Sequence, residues 1–238
     1  MLSENEIGLL AEKCKALPKP HQVCLDDNYI IGLFNTVLDF QMHGEAVDNA
    51  LKYYRANRQH EIHAPSDLES LFSRFPDDKE GNTGLAGYLW GNRHWTRASL
   101  LRQLVTLFSS QGICSIEALR SWARTSSYER DFQGRIRGMG FAIYKWLVMR
   151  QGVETVKPDV MIRRFVESTT GRAGVSDEAL VDAVERAAKQ LGKKANQLDA
   201  AIWEYQRKQI AKPRGPRICL GTLPSANGGE DNAKMMLK

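Results

Sequence analysis

"RIRGMGFAIYKWLVMRQGVETVKPDVMIRRF", residues 135–165, is the stretch on which the reading of this chain turns. Gly138 and Gly140 flank one apolar residue, Met139, and an apolar run of helical spacing follows. The first turn of a helix leaves backbone N–H groups unpaired and carries partial positive charge. A glycine at that point leaves an unobstructed seat for a phosphate. Taken alone, a Gly-x-Gly triplet is only a turn signal. Nineteen residues beyond Gly140, however, "KPDVMIRRF" places an isolated acid, Asp159, directly after Pro158 and ahead of another helical pattern. Such an acid either caps the helix or serves chemistry.

Outside this stretch, strand signals are nearly absent and 3.6-residue periodicity recurs. "SENEIGLLAEKCKAL" (3–17) carries Ile7, Leu10, Ala11 and Cys14 on one face and is stopped by "PKP". "NYIIGLFNTVLDFQMHGEAVDNALKYYRAN" (28–57) reads as two helices broken near "QMHGE". "SDLESLFSRF" (66–75) is expected to start on Ser66 as cap, with Glu69 completing a capping box. "GNTGLAGYLWGN" (81–92) reads as a glycine-punctuated loop or short helix, and no strand precedes it to make a nucleotide-binding fingerprint. Helical patterns resume from Thr96 and run on to Ala211, giving about nine or ten helices of ordinary length. The Pro-, Gly- and polar-rich 212–238 reads as a flexible tail. The expected fold class is all-α.

Composition narrows the function classes. The chain has 238 residues, 42% of them hydrophobic and 26% charged, as in soluble globular proteins. No apolar run approaches the roughly 18 residues of a membrane span, and the acidic amphipathic start is unlike a secretory signal. Cys14, Cys24, Cys114 and Cys219 are scattered with no Cys-x-x-Cys pair, which disfavours a zinc site or an iron–sulfur cluster and favours reduced thiols. "HEIH" (60–63) offers two imidazoles where a stable metal site needs three or four ligands. Neither a metal nor a cofactor is therefore expected. Charge is segregated: residues 1–91 carry 8 basic and 14 acidic residues, whereas 92–164 carry 13 basic and 5 acidic. A positive middle third calls for a polyanionic partner, unless it is simply a solvated arginine-rich face.

The hairpin and the acid together resemble the helix-hairpin-helix DNA glycosylase superfamily (HhH-GPD). There a Leu-Pro-Gly-apolar-Gly hairpin precedes a helix, and an aspartate opens the next helix as "VDTHVxR". "IRGMGFAIYKWLVM" (136–149) stands where the hairpin segment belongs, and "KPDVMIRRF" (157–165) where the aspartate segment belongs. "FNTVLDFQMHGEAVDNALKYY" (34–54) is similar to the family's early helix pair, with Gln41 in the place of its turn glutamine. The resemblance covers about residues 28–170. It implies a two-lobed helical fold over 1–211, with a central bundle of about 31–156 and a second lobe from 1–30 plus 157–211.

The same resemblance implies a base-excision DNA glycosylase acting on double-stranded DNA that carries a modified base. Asp159 would be the catalytic carboxylate. Gly138, Met139, Gly140, Arg137, Arg163 and Gln41 would be the DNA-binding set, and the base pocket has no assigned residues. The chemistry fits, because cleaving an N-glycosidic bond builds positive charge on the sugar that a carboxylate opposes. The base must also leave the stack before it can be reached. In members that cleave the strand as well, a lysine follows the second hairpin glycine by two residues. Ala142 stands there, and neither Lys145 nor Lys157 takes that place. The expected enzyme is therefore monofunctional, without abasic-site lyase activity. It would be a monomer with no membrane association, found in the cytoplasm with the nucleoid or in a nucleus. The alternative is a non-catalytic helix-hairpin-helix DNA-binding protein.

Overall fold

The computed structural model describes residues 1–19, 25–39 and 44–211. Among these the fold is all-α, with no strand. In chain order the helices are α1 (Glu4–Lys15), α2 (Tyr29–Leu38), α3 (Gly44–Asn57), α4 (Pro65–Phe72), α5 (Lys79–Trp90) and α6 (Trp95–Ser110). They continue as α7 (Ile116–Thr125), α8 (Phe141–Arg150), α9 (Val160–Thr170), α10 (Asp177–Gln190) and α11 (Ala195–Ala211). A single π-helical turn, Tyr128–Phe132, lies between α7 and the hairpin. Among the described residues, no helix is long and apolar enough to cross a membrane.

The buried apolar residues form two clusters. The first is drawn from α2 to α8, residues 29–148. Phe34 packs edge-on against both Tyr54 and Trp90 there, and Trp122 meets Phe108 and Tyr144 in the same way. The second cluster joins α1 to α9, α10 and α11 through Ile7, Leu10, Phe165, Leu180, Val184 and Ile202. The connection 151–159 runs from one cluster to the other, and Val156 already belongs to the second.

One local expectation is corrected and one open reading is resolved. The first concerns α4, which begins at Pro65 rather than being capped by Ser66. Proline suits a first helical position because its missing N–H would have been unpaired anyway. Asp67, not Glu69, supplies the acidic half of a cap, accepting from the N–H groups of His63 at 2.8 Å and Ala64 at 2.9 Å. The second concerns the stretch that reads as a loop or a short helix: residues 79–90 form a helix of 12 residues. Its glycines are needed for close approach: a Cβ on Gly81 would lie 2.0 Å from the Pro76 carbonyl oxygen, and one on Gly84 3.2 Å from the Phe75 ring. Asp78 caps this helix through the Gly81 N–H at 2.7 Å. The glycines that weaken the helical signal are thus the ones that let α5 fold back on its own approach segment.

Two formally identical substitutions should therefore have opposite signs. A Cβ at Gly8, inside α1, meets nothing within 4 Å. Gly8→Ala is expected to stabilise by about 0.5–1 kcal/mol through reduced unfolded-state freedom. Gly81→Ala is expected to destabilise by about 1–3 kcal/mol, the typical cost of forced overpacking. Urea unfolding of the two variants beside the parent chain checks both signs.

Candidate functional site

The site is assembled where the hairpin helix α8, the 151–159 connection and the start of α9 meet the ends of α2 and α11. The hairpin comes first. Gly138 has φ of +93°, a left-handed conformation that favours glycine. Gly140 is the N-cap residue of α8 and offers no side-chain cap. A Cβ added at Gly140 would meet nothing within 4 Å, so the space above the helix start is open. Arg137, Gly138 and Gly140 are exposed, whereas Met139 is buried and turns its side chain into the first core. Only the backbone of Met139 therefore belongs to the outer surface of the hairpin. The element before the hairpin is the π-helical turn Tyr128–Phe132, capped by Ser127, rather than a regular helix running straight into it.

Asp159 is the N-cap residue of α9. Its Oδ1 accepts from the N–H groups of Met161 at 2.8 Å and Ile162 at 3.1 Å. Burial pushes its carboxyl above the ordinary carboxylate range and the Asp39 carboxylate pushes the same way, while the Ile162 and Met161 N–H groups and the Lys157 ammonium act against the rise. The Lys157 ammonium pairs with Asp39 at the end of α2 and lies 4.6 Å above the Trp146 ring. The Lys157 backbone is held too, its carbonyl accepting from the Asp159 N–H at 2.8 Å and its N–H donating to Asp199 of α11 at 3.0 Å. Burial and the Asp159 charge push the Asp199 carboxyl up to about 8.

Above this turn, α8 is tied to the chain before α2. Asp26 is buried, and Arg150 donates to it from Nε at 3.0 Å to each oxygen and from a terminal nitrogen at 2.5 Å. Asn35 and Gln151 add side-chain hydrogen bonds to the same carboxylate. Lys145, on α8, donates to Thr155 at 3.1 Å, and Thr155 in turn donates to Glu185 of α10 at 2.8 Å.

A family model described as "Domain of unknown function (DUF8548)" matches residues 9–207. The chain belongs to that family. No curated protein and no solved structure matches it. The match runs from within α1 into α11, so the first core, most of the second and the junction carrying Asp159 lie inside the DUF8548 domain.

The remaining expected site residues are distributed unevenly. Gln41 lies outside the described residues. Arg163 is engaged within the protein, donating to the Val175 carbonyl and pairing with Asp177 and, at 3.6 Å, with Glu167. Much of the positive middle third is similarly engaged. Arg102 bonds the carbonyls of Phe72 and Phe75, Arg130 pairs with Asp131, and Arg150 and Lys157 are paired as described. Exposed cationic side chains remain at Arg93, Arg124, Arg135, Arg137 and Arg164. Among the described residues, no group of three or more His, Cys, Asp or Glu side chains is placed to hold a metal ion.

Sequence reasoning missed Asp26, Asp39 and Asp199. A signal for Asp199 was present: Ala195, Leu198, Ile202 and Gln206 are buried at helical spacing, and Asp199 falls on that same stripe. A carboxylate at a core position needs a partner. For Asp26 no local signal exists, since Arg150 is 124 residues away.

The electrostatics give a test with its sign fixed. Lys157 opposes the rise of the Asp159 carboxyl, so Lys157→Met should move the Asp159 titration to higher pH than in the parent chain. Carboxyl-resolved NMR titration measures the shift. An unchanged midpoint would mean that the ammonium does not act on Asp159.

Proposed function

We propose that this protein is a monofunctional DNA glycosylase of the helix-hairpin-helix kind, which extrudes a modified base from duplex DNA and hydrolyses its N-glycosidic bond. One observation carries the reading: Asp159 N-caps α9, the helix that follows the one Gly140 opens, and its half-buried carboxyl is pushed up by burial and drawn down by the Lys157 ammonium. In this reading the open start of α8 seats a backbone phosphate. Arg137 and the other exposed arginines add sequence-independent attraction for the duplex. Arg163 is left out of that set because its guanidinium is already paired. The extruded sugar would face Asp159, whose charge opposes the developing oxocarbenium ion and orients the attacking water. The two lobes of the proposed fold correspond to the two apolar clusters, with DNA crossing at their junction.

The two cap bonds also favour a second reading, in which Asp159 is simply a helix cap. Two substitutions separate the roles. Asp159→Asn keeps size and capping capacity while removing charge. If Asp159 is catalytic, base release should fall by on the order of 10²–10⁴, with duplex affinity retained. Asp159→Ala should lose the cap as well, at about 1 kcal/mol of stability. Base release from duplexes carrying alkylated, deaminated, oxidised and bulky bases, with urea unfolding alongside, gives both numbers. Full turnover by the Asn variant would leave a DNA-binding hairpin without catalysis.

Lyase chemistry needs a free amine at the sugar. Ala142 stands at the lyase position, Lys145 donates to Thr155, and Lys157 is paired with Asp39. Borohydride should therefore trap no covalent protein–DNA complex, and strands should break only after heat or alkali. Trapping that disappears in Lys145→Ala would instead assign the lyase role to that residue.

A further inference from the structure

Asp199 is a buried acid that the proposed chemistry does not use. It sits on the apolar face of α11, 8% exposed, between Leu198 and Ile202. No cation pairs with it directly among the described residues. What it holds is a backbone: the Lys157 N–H donates to its Oδ1 at 3.0 Å. The carbonyl of the same residue accepts from the Asp159 N–H at 2.8 Å. Asp199 thus grips, from the opposite helix, the two-residue turn that presents Asp159.

We propose that Asp199 is the positioning residue for Asp159: it clamps the Lys157–Asp159 turn from α11 and forms with Asp159 a two-carboxyl unit that works with one negative charge. This rests on the glycosylase reading for its catalytic consequence, but the clamp itself does not. The groups facing the unit are Lys157 in the connection and, through Lys157, Asp39 at the end of α2. The Lys157 ammonium already pairs with Asp39. Two like charges in a desolvated site cannot both be held cheaply, so one carboxyl keeps its proton. Asp159 accepts two N–H bonds and Asp199 one, which makes Asp159 the anion. The Asp199 carboxyl, raised to about 8, accordingly stays neutral through the neutral range.

The stability consequence has a definite sign. The native state keeps a proton on Asp199 that the unfolded chain releases near the ordinary carboxylate value. Between that value and about pH 8 the native state therefore binds more protons, and stability falls as pH rises. Asp199→Asn keeps the acceptor for the Lys157 N–H but cannot ionise. Its unfolding free energy should lack the part of the decline between the ordinary carboxylate value and about pH 8 that belongs to Asp199. Base release by the Asn variant should match the parent at pH 7. The parent should lose activity as pH rises past about 8, where twin anions would push Asp159 off its cap, and the Asn variant should not. Asp199→Ala removes the clamp, and base release should drop by on the order of 10²-fold, as for a misplaced catalytic group.

Urea unfolding across pH and base release across pH, on the full chain, decide the matter. Asn-variant profiles parallel to the parent in stability would overturn the one-charge unit. Parent-like turnover by Asp199→Ala would overturn the positioning role. Should the parent chain release no base from any duplex, the glycosylase reading fails. The clamp is then judged by hydrogen exchange at Met161 and Ile162, which must lose protection in Asp199→Ala and keep it in Asp199→Asn.

Discussion

The geometry of the junction depends on one buried carboxylate, Asp26, and the guanidinium that neutralises it. A carboxylate at this depth is tolerated only when paired and hydrogen-bonded, and Asp26 has Arg150, Asn35 and Gln151. Arg150 is the last residue of α8, so satisfying Asp26 fixes where that helix ends relative to α2. The peptide groups repeat the tie, with the Asp26 N–H donating to the Arg150 carbonyl at 3.1 Å. Gly32 makes room for the arrangement: a Cβ there would lie 3.2 Å from an Asp26 oxygen. The far end of α2 is held by Asp39 on Lys157. One helix is therefore pinned at both ends to the chain that leads from the hairpin to Asp159.

That double pinning explains how the turn holds a carboxylate in place. Lys157 contributes through three groups at once: its ammonium, its N–H and its carbonyl. Trp146 adds a ring face under the ammonium and Arg150 lies 5.2 Å from the same ring. A lysine so confined is unsuited to nucleophilic attack, which requires a free and partly deprotonated amine. Its effect on the site is electrostatic and positional.

The all-α class was legible because amphipathic spacing is a local property, and α1, α10 and α11 carry it plainly. Residues 79–90 were obscured for a physical reason: glycine lowers the helical signal, yet here only glycine fits against Pro76 and Phe75. The start of α4 was misread because proline at a first position outweighs a serine one residue later. Asp159 at a helix start was legible from "KPDVMIRRF", since proline and a short acid mark such a boundary. The charge segregation was legible too, but not its use. Pairing partners such as Asp26, Asp39 and Asp177 lie far along the chain from the arginines and lysine they occupy, or across a turn, so a count of charges overstates the exposed cationic surface.

The balance of forces on Asp159 bears directly on what such a carboxylate can do. Two backbone N–H groups and one ammonium favour its charge, while burial and a neighbouring carboxylate oppose it. An acid held ionised by a wide margin is already fully compensated, and a cation appearing beside it adds little. Asp159 is compensated only in part. A positive charge developing nearby in a desolvated space would therefore be stabilised strongly, because the protein has left that interaction unsatisfied in the resting state. A cap needs none of this: an exposed Asp with the same two N–H bonds would serve the helix as well. Asp159 is half-buried, and that partial burial raises its carboxyl against the pull of two N–H bonds and an ammonium, a balance that a fully exposed cap would not have.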